Sequence, residues 1–165
     1  MRHFGGDVRF ANEDAFFHYK VIGIIIEDGH LLAVTNDDVD YYYAVGGAVR
    51  FGEKSCDAVL REVLEETGIR YEVDRLVFVY EKTFKDKNIN GGSLAHEVAL
   101  CYLMKSKGGK FEVTAESYGM YGDKEKFCWL PIDRLGEYKV FPEFFVDKLK
   151  DIPSCIEHIV QIDMN

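Results

Sequence analysis

One stretch near the middle of the chain, residues 47–69, most constrains what this sequence can fold into. It reads GAVRFGEKSCDAVLREVLEETGI. Glu62, Glu65 and Glu66 stand at positions i, i+3 and i+4, so in a helix their three carboxylates share one face. The residues roughly opposite predict a side that the helix can bury: Cys56, Val59, Leu60, Val63, Leu64 and Thr67. The stretch therefore predicts an amphipathic helix with an acidic face.

The acidic face needs a counter-charge, because like charges at i and i+4 repel one another. Arg61 lies four residues before Glu65 and is the only basic residue between Lys54 and Arg70. One arginine cannot balance these three acids together with Glu53. A hard divalent cation such as Mg²⁺ can, because it prefers carboxylate oxygens and often shares its shell with substrate phosphates. The alternative is a solvated acidic helix face, which is the more common explanation of an isolated acidic cluster.

A glycine pair precedes this helix. Gly46 and Gly47 follow the apolar run 41–45 and allow a tight turn with close approach of the backbone to a ligand. The separation of Gly47 and Gly52 also raises the alternative of a phosphate-binding P-loop. That alternative is excluded because the next residue is Glu53, where a P-loop requires lysine.

The spacing of the fixed residues carries a resemblance to a known family. A glycine is followed after five residues by glutamate, and after seven more by Arg-Glu-apolar-x-Glu-Glu-x-Gly-apolar. The seven identical residues are Gly47, Glu53, Arg61, Glu62, Glu65, Glu66 and Gly68, and the two apolar positions hold Val63 and Ile69. Seven chance identities at fixed spacing have a probability on the order of 10⁻⁸ at ordinary residue frequencies. The chain therefore resembles the Nudix hydrolases, whose Nudix box has this pattern.

The resemblance implies a fold and an activity. The fold is α/β, a Nudix-type α/β/α sandwich with a mixed β-sheet, as a single domain over residues 1–165. The activity is metal-dependent hydrolysis of the diphosphate linkage of a nucleoside diphosphate derivative. The implied metal ligands for Mg²⁺ or Mn²⁺ are Glu62, Glu65 and Glu66, with a carbonyl near Gly46. The implied catalytic residues are Glu53, Arg61, Glu62, Glu65 and Glu97, and the implied substrate contacts are Gly46, Gly47 and Arg50.

The general base is left open by the sequence. Strict alternation along the strand predicted at 94–104 puts His96 and Glu97 on opposite sides, so both cannot face one cleft. Relatives often place an extra acidic group on this part of the sheet, which favours Glu97 over a solvent-facing edge charge. Glu116, in the long polar loop 105–126, is a second candidate.

The substrate is also left open. ADP-ribose-specific relatives often carry a proline shortly after the box, yet none occurs between Ile69 and Leu130. Nucleoside triphosphates including oxidised forms, nucleotide sugars, dinucleoside polyphosphates and ADP-ribose-like compounds all stay in view. Phe16, Phe17 and Tyr19 could stack on a nucleobase, although aromatic residues near a first strand more often pack into the core. The alternative function is a catalytically inactive Nudix-fold module that senses nucleotides, against which the intact glutamates argue.

Composition narrows the class of protein. A chain of 165 residues with 47% apolar content predicts one domain with a sizeable core. Its net charge of −9 argues against a nucleic acid polymer or an anionic membrane as partner. Four scattered cysteines without a C-x-x-C pair predict reduced, mostly buried thiols in a cytoplasmic protein: Cys56, Cys101, Cys128 and Cys155. No segment resembles a signal peptide or a membrane span. Assembly as a homodimer stays open.

Outside the box the sequence predicts mainly strands. They are expected at 8–10, 19–27, 30–35, 41–45, 75–84, 94–104, 127–132 and 155–162. Asp28-Gly29 indicates a type I′ hairpin turn, and Asn90-Gly91-Gly92 a second hairpin loop. A short helix is expected at 142–150. Ser55 or Glu53 is expected to cap the box helix, and Gly68 to end it.

Overall fold

The computed structural model describes residues 2–3, 6–86, 93–119 and 122–164, and its strands form two sheets. The larger sheet contains β1 (Arg2–His3), β2 (Arg9–Ala11), β3 (Ala15–Ile24), β7 (Gly46–Ala48), β8 (Val73–Asp86), β9 (Ser93–Met104) and β12 (Glu157–Asp163). The smaller sheet contains β4 (Ile26–Glu27), β5 (His30–Thr35), β6 (Tyr42–Ala44), β10 (Lys126–Pro131) and β11 (Val140–Phe141). The loop expected at Asn90-Gly91-Gly92 lies outside the described residues.

The larger sheet is mixed, as predicted. Its strand order is β1-β2-β3-β9-β8-β12, and β7 pairs with β3. The β3–β9 and β8–β12 pairs are parallel, and the other pairs are antiparallel. The smaller sheet has the order β10-β5-β6-β11, with β4 beside β5.

Strand β3 lies at the centre of the molecule and is buried from both sides. Ile22 and Ile24 face the smaller sheet and the core beneath it. Val21 faces the opposite core, which α1 (Ser55–Thr67) covers. Gly23 lies against the helix, since a Cβ there would be 2.7 Å from Val63 Cγ2. Because both faces of β3 are buried, the residues from 19 onwards are almost entirely apolar, whichever side they face.

The second helical layer is thin. Below the smaller sheet lie a 3₁₀ helix (Ile132–Glu137) and α2 (Phe145–Lys148), and both bury residues in the core. The result is a single α/β domain with α1 on one face of the sheets and short helices on the other. None of the helices in the described ranges is long and apolar enough to cross a membrane.

Several local predictions are confirmed. Asp28 and Gly29 both have positive φ, 49° and 71°, as a type I′ turn between β4 and β5 requires. Gly68 ends α1 in the left-handed conformation at φ 74°, and its N–H donates to the Leu64 carbonyl. The register places Glu97 and His96 on opposite faces of β9.

The predicted cap of the box helix is wrong. The N-cap position is Lys54, and no side chain caps it. Ser55 Oγ instead lies 2.7 Å from the Tyr102 hydroxyl, and Glu53 accepts the backbone N–H of Arg50. Ser55 is therefore held by a residue of a distant strand, and Glu53 by the backbone of its own loop.

Two predicted elements have different extents. The strand expected at 41–45 is the shorter β6, and the glycine pair after it lies in β7, which belongs to the other sheet. Gly46 at φ 154° makes this crossing, and a Cβ there would collide with the Val21 carbonyl oxygen. The helix expected at 142–150 is only the four residues of α2. Of the cysteines, Cys101 is buried, Cys155 is exposed, and all four are free.

Candidate functional site

Arg61 is the centre of the hydrogen bonding in the box. Its Nε and Nη2 donate to the two carboxylate oxygens of Glu53 at 2.8 and 2.9 Å, a bidentate pair. Its Nη1 donates to Glu62 at 2.6 Å and more weakly to Glu65 at 3.2 Å. Its Nη2 also donates to the Ala48 carbonyl at 3.0 Å. Arg61 thereby ties the helix to the loop and to β7.

The bidentate pair keeps Glu53 charged. Its hydrogen bonds from Arg61 outweigh burial and lower the pKa of Glu53 to about 2. The same arginine, with Glu53 as its main partner, has a raised pKa and stays protonated. The loop acid is therefore a fixed anion at neutral pH.

Gly47 allows Glu62 to lie against the backbone of β7. A Cβ at this position would be 2.5 Å from the Glu62 carboxyl carbon, so any other residue would displace the carboxylate. Burial raises the pKa of Glu62, and Arg61 opposes that effect. The glycine predicted to permit close approach thus accommodates a side chain of the site itself.

Glu66 is the least compensated acid of the site. Its carboxylate accepts a long hydrogen bond from the Gly46 N–H at 3.2 Å. Burial is the main cause that raises its pKa well above the usual range, and the nearby carboxylates of Glu125 and Glu62 add to it. The Gly46 N–H and Lys20 act in the opposite direction. Few contacts offset the cost of burying the Glu66 charge. This is expected of a carboxylate that binds a cation.

Glu65 has a more open environment. Half of its side chain is exposed, at 51%, and it lies 3.7 Å from Arg50 and 3.2 Å from Arg61. The helical spacing correctly placed three glutamates on one side of α1. It did not distinguish the exposed Glu65 from the desolvated Glu66.

Glu125 is a site residue that the sequence did not identify. It accepts a hydrogen bond from the Tyr43 hydroxyl at 2.7 Å and a short one from Ser117 Oγ. These contacts hold it near Glu66, whose pKa it raises. The only sequence signal was its position in an acid-containing loop just before a core strand, which did not separate it from Glu116.

The two earlier candidates for the base lie in other surroundings. Glu116 is exposed and its oxygen lies 2.7 Å from Lys124 Nζ. Glu97 lies on the face of β9 that carries Ala99, 3.4 Å from His18 Nδ1 and 3.7 Å from Lys20 Nζ. A role of either residue as base stays a prediction.

The three aromatic residues near the first strand pack against protein. Phe16 is 8% exposed and belongs to a small core cluster. Phe17 stacks on Phe10 at 5.2 Å between ring centroids, and Tyr19 packs against the core under α1. These contacts favour the core alternative for all three.

The donor set suits a hard divalent cation, although no bound-ion geometry is preformed. Within the described ranges, no group of three Asp, Glu, His or Cys side chains has the arrangement of a metal site. Glu62 and Glu66 nevertheless bring desolvated carboxylates together beside Glu125 and the backbone of Gly46. Oxygen donors with excess negative charge are what Mg²⁺ and Mn²⁺ prefer.

Comparison with known sequences identifies relatives. A sequence model described as the NUDIX domain matches residues 17–148. A MutT-like protein from Streptomyces ambofaciens is 35% identical over 119 residues, which cover 72% of this chain. The matched part spans 66% of that relative, just under two thirds of its length.

Comparison with solved structures supports the same fold. The MutT protein from Methanosarcina mazei Go1 superposes with a TM-score of 0.61 at 17% identity, covering 85% of this chain and 96% of that one. An ADP-ribose pyrophosphatase from Streptococcus suis gives a TM-score of 0.53 at 16% identity, covering 86% and 98%. At these identities the likeness concerns the fold alone.

Proposed function

Because the chain belongs to the Nudix hydrolase family, we propose that it is a metal-dependent pyrophosphohydrolase acting on a nucleoside diphosphate derivative. The observation that carries this proposal is the desolvated carboxylate of Glu66 beside Glu62 and Glu125. Such a group is costly to keep charged without a cation, so its retention favours a binding function over a solvated helix face.

The proposed ligands of Mg²⁺ or Mn²⁺ are Glu62, Glu65 and Glu66. A bound divalent cation would supply Lewis-acid chemistry, neutralising the diphosphate and acidifying an attacking water. The Gly46-Gly47 backbone lets the substrate approach the carboxylates closely. Arg50, exposed at the loop and 3.7 Å from Glu65, is proposed to contact a phosphate.

Arg61 and Glu53 have positioning roles in this proposal. The guanidinium fixes the orientation of Glu62 by a 2.6 Å hydrogen bond, while its bidentate contact with Glu53 holds the loop on the helix. Proton removal from water is proposed for a carboxylate near the metal ligands. Glu125 is favoured for it, because it lies close to Glu66 and is supplied by a different segment of the chain.

The proposed substrates are small nucleotides: nucleoside triphosphates including oxidised forms, nucleotide sugars and ADP-ribose-like compounds. The net charge of −9 supports a small substrate over a nucleic acid polymer. Four free cysteines suit a reducing compartment, so the proposed location is the cytoplasm.

A nucleotide panel tests the proposal directly. The purified protein is incubated with each compound, with and without Mg²⁺ or Mn²⁺, and the release of phosphate, pyrophosphate and nucleoside monophosphate is measured. We expect cation-dependent cleavage of at least one compound. Nucleotide binding without turnover under all conditions would instead support the inactive sensing module.

Matched variants test the ligands. Glu65→Gln and Glu66→Gln should each lower kcat by at least about 100-fold, because metal stabilisation of transition-state charge is worth several kcal/mol. Binding of Mn²⁺, followed by electron paramagnetic resonance, should weaken in the same variants. Glu72→Gln is the control, since Glu72 is exposed and pairs with Lys105 rather than with a residue of the box. Normal turnover in both box variants would remove these glutamates from the metal site.

A further inference from the structure

A second polar cluster lies on the face of the larger sheet opposite the one that α1 covers. Four residues on adjacent strands are register partners across β3, β9, β8 and β12, and together they form what we term the polar row: His18, Glu97, Lys82 and Gln161. This face otherwise forms the apolar core with the smaller sheet. Charged groups at such a place are costly, and apolar residues there would often be at least as stable. The polar row therefore calls for an explanation other than stability.

The carboxylate of Glu97 is the central acceptor of the polar row. Its side chain is only 19% exposed, with His18 Nδ1 at 3.4 Å and Lys20 Nζ at 3.7 Å. Burial raises its pKa, but Lys20 and His18 together outweigh burial and lower the pKa to about 2. Glu97 is therefore an anion at neutral pH and can only accept hydrogen bonds.

His18 contributes a second acceptor. Burial is the main cause that lowers its pKa, so the imidazole is neutral at pH 7. Since Nδ1 faces the Glu97 carboxylate, the tautomer with the proton on Nδ1 is favoured, which leaves Nε2 as an acceptor. This buried nitrogen has no hydrogen-bond partner in the described part of the chain. The polar row thus has acceptor capacity in excess of its donors at this end.

Aromatic rings lie beside the end of the polar row that contains Lys82. Lys82 Nζ lies 5.2 Å from the ring centroid of Phe84 and also 5.2 Å from that of Phe141. Phe141 belongs to the smaller sheet, so the row runs beneath a ring from the opposite layer. Tyr41 packs edge-on against Phe141 at 5.4 Å. The polar row thus has acceptors towards one end and flat apolar surfaces at the other, a combination suited to a planar ring that carries hydrogen-bond donors.

The polar row is continuous with the box. Lys20 lies 3.7 Å from Glu97 and is the register partner of Ala48 in β7, whose carbonyl accepts a hydrogen bond from Arg61 of the box at 3.0 Å. Along β3 it is two residues from His18, which corresponds to about 7 Å in a strand. A substrate whose phosphates lie at Glu66 would therefore extend its remaining part along the sheet towards the polar row.

From this geometry we propose that the polar row binds the nucleobase of the substrate, with Glu97 selecting bases that carry an exocyclic amine. The inference rests on the proposed function for the identity of the substrate as a nucleotide. It gives Glu97 a specificity role rather than that of a general base. A base with an amine can donate an N–H to the carboxylate and binds more tightly. A base without the amine leaves the carboxylate unpaired and binds more weakly.

Two pairs of nucleotides that differ by one amine test the inference. They are the guanosine and inosine forms, and the adenosine and purine riboside forms, of the compound that the panel identifies. In the native protein, kcat/KM should be at least about tenfold higher for the amine-bearing member of one pair. This is the difference expected from one hydrogen bond to a charged group. In Glu97→Gln that ratio should fall to within about threefold of unity, because the charge is lost. His96→Gln is the matched control, since His96 is the neighbouring residue on the opposite face of β9, and its ratio should equal that of the native protein.

The ratio remains informative if Glu97→Gln is poorly folded. Both substrates report on the same active molecules, so the active fraction cancels. The dissociation constants of non-hydrolysable methylene analogues give the same ratio without turnover. Amine-dependent binding without cleavage would contradict the proposed function yet support this inference. Equal kcat/KM and equal affinity within both pairs, or a preference that survives in Glu97→Gln, would overturn it.

Discussion

The substitution Glu27→Gln should destabilise the protein through a carboxylate that lies outside the box. Glu27 is 1% exposed and lies at the end of β4. One oxygen accepts hydrogen bonds from the Tyr71 hydroxyl at 3.0 Å and the Lys107 N–H at 2.7 Å. The other accepts from Ser106 Oγ at 2.6 Å and from the N–H groups of Gly108 and Gly109 at 3.1 and 3.0 Å. The carboxylate thus fastens the start of the segment that later supplies Glu125.

The size of the destabilisation depends on which of these hydrogen bonds the glutamine side chain can still accept. The glutamine oxygen can keep the three donors at one end, and the Tyr71 hydroxyl can rotate to accept from the new NH₂. The Lys107 N–H cannot adapt and is left facing another donor. An unsatisfied buried donor costs about 1–3 kcal/mol, and loss of charge weakens the remaining bonds. We expect the free energy of unfolding to fall by about 3 kcal/mol.

The effect should depend on pH with a definite sign. Burial alone would raise the pKa of Glu27, but the hydrogen bonds from Ser106, Lys107 and Tyr71 outweigh burial and lower it from 4.5. A lowered pKa in the folded state contributes stability above the unfolded-state pKa, and that stability is lost as the pH falls through the folded value. The difference between native protein and Glu27→Gln should therefore be largest near pH 7 and shrink below about pH 4.5.

Urea unfolding followed by circular dichroism, at pH 7 and at several acidic values, measures this difference. Glu72→Gln is the control, because Glu72 is 75% exposed on its side chain and its 2.8 Å pair with Lys105 is screened by solvent and should contribute little to stability. A loss below about 1 kcal/mol for Glu27→Gln, or a loss that does not change with pH, would refute the reasoning.

Two further predictions concern the box. Arg61→Lys should lower both the melting temperature and kcat. One ammonium cannot replace the guanidinium contacts to Glu53, Glu62 and Ala48. Unchanged kcat/KM would show that this geometry is dispensable. Gly47→Ala should lower kcat by at least about tenfold with little loss of stability, since its Cβ would lie 2.5 Å from the Glu62 carboxyl carbon and displace it. Thermal unfolding beside steady-state kinetics separates the two effects, and native-like Mn²⁺ affinity in Gly47→Ala would contradict that explanation.

Local chemistry explains the parts of the fold that could be predicted. A type I′ turn needs positive φ at two successive residues, and Asp28-Gly29 supplies them. The end of α1 at Gly68 is also determined locally, because glycine readily adopts the left-handed conformation. The change of sheet between β6 and β7 was not predicted, for the opposite reason. It depends on the close approach of Gly46 to Val21, which belongs to a distant segment.

The sequence by itself determined the family and the residues of the acidic helix face, because helical periodicity and the spacing of the box are properties of one short segment. Only the tertiary structure decided the environment of each acid. Glu65 remains half exposed, whereas the carboxyl group of Glu66 is desolvated and lies near Glu125 from a separate loop. It also decided that Glu97 meets His18 and Lys20 across a strand pair. The physical reason is that burial and the nearest charges depend on contacts between distant segments, which no local pattern records.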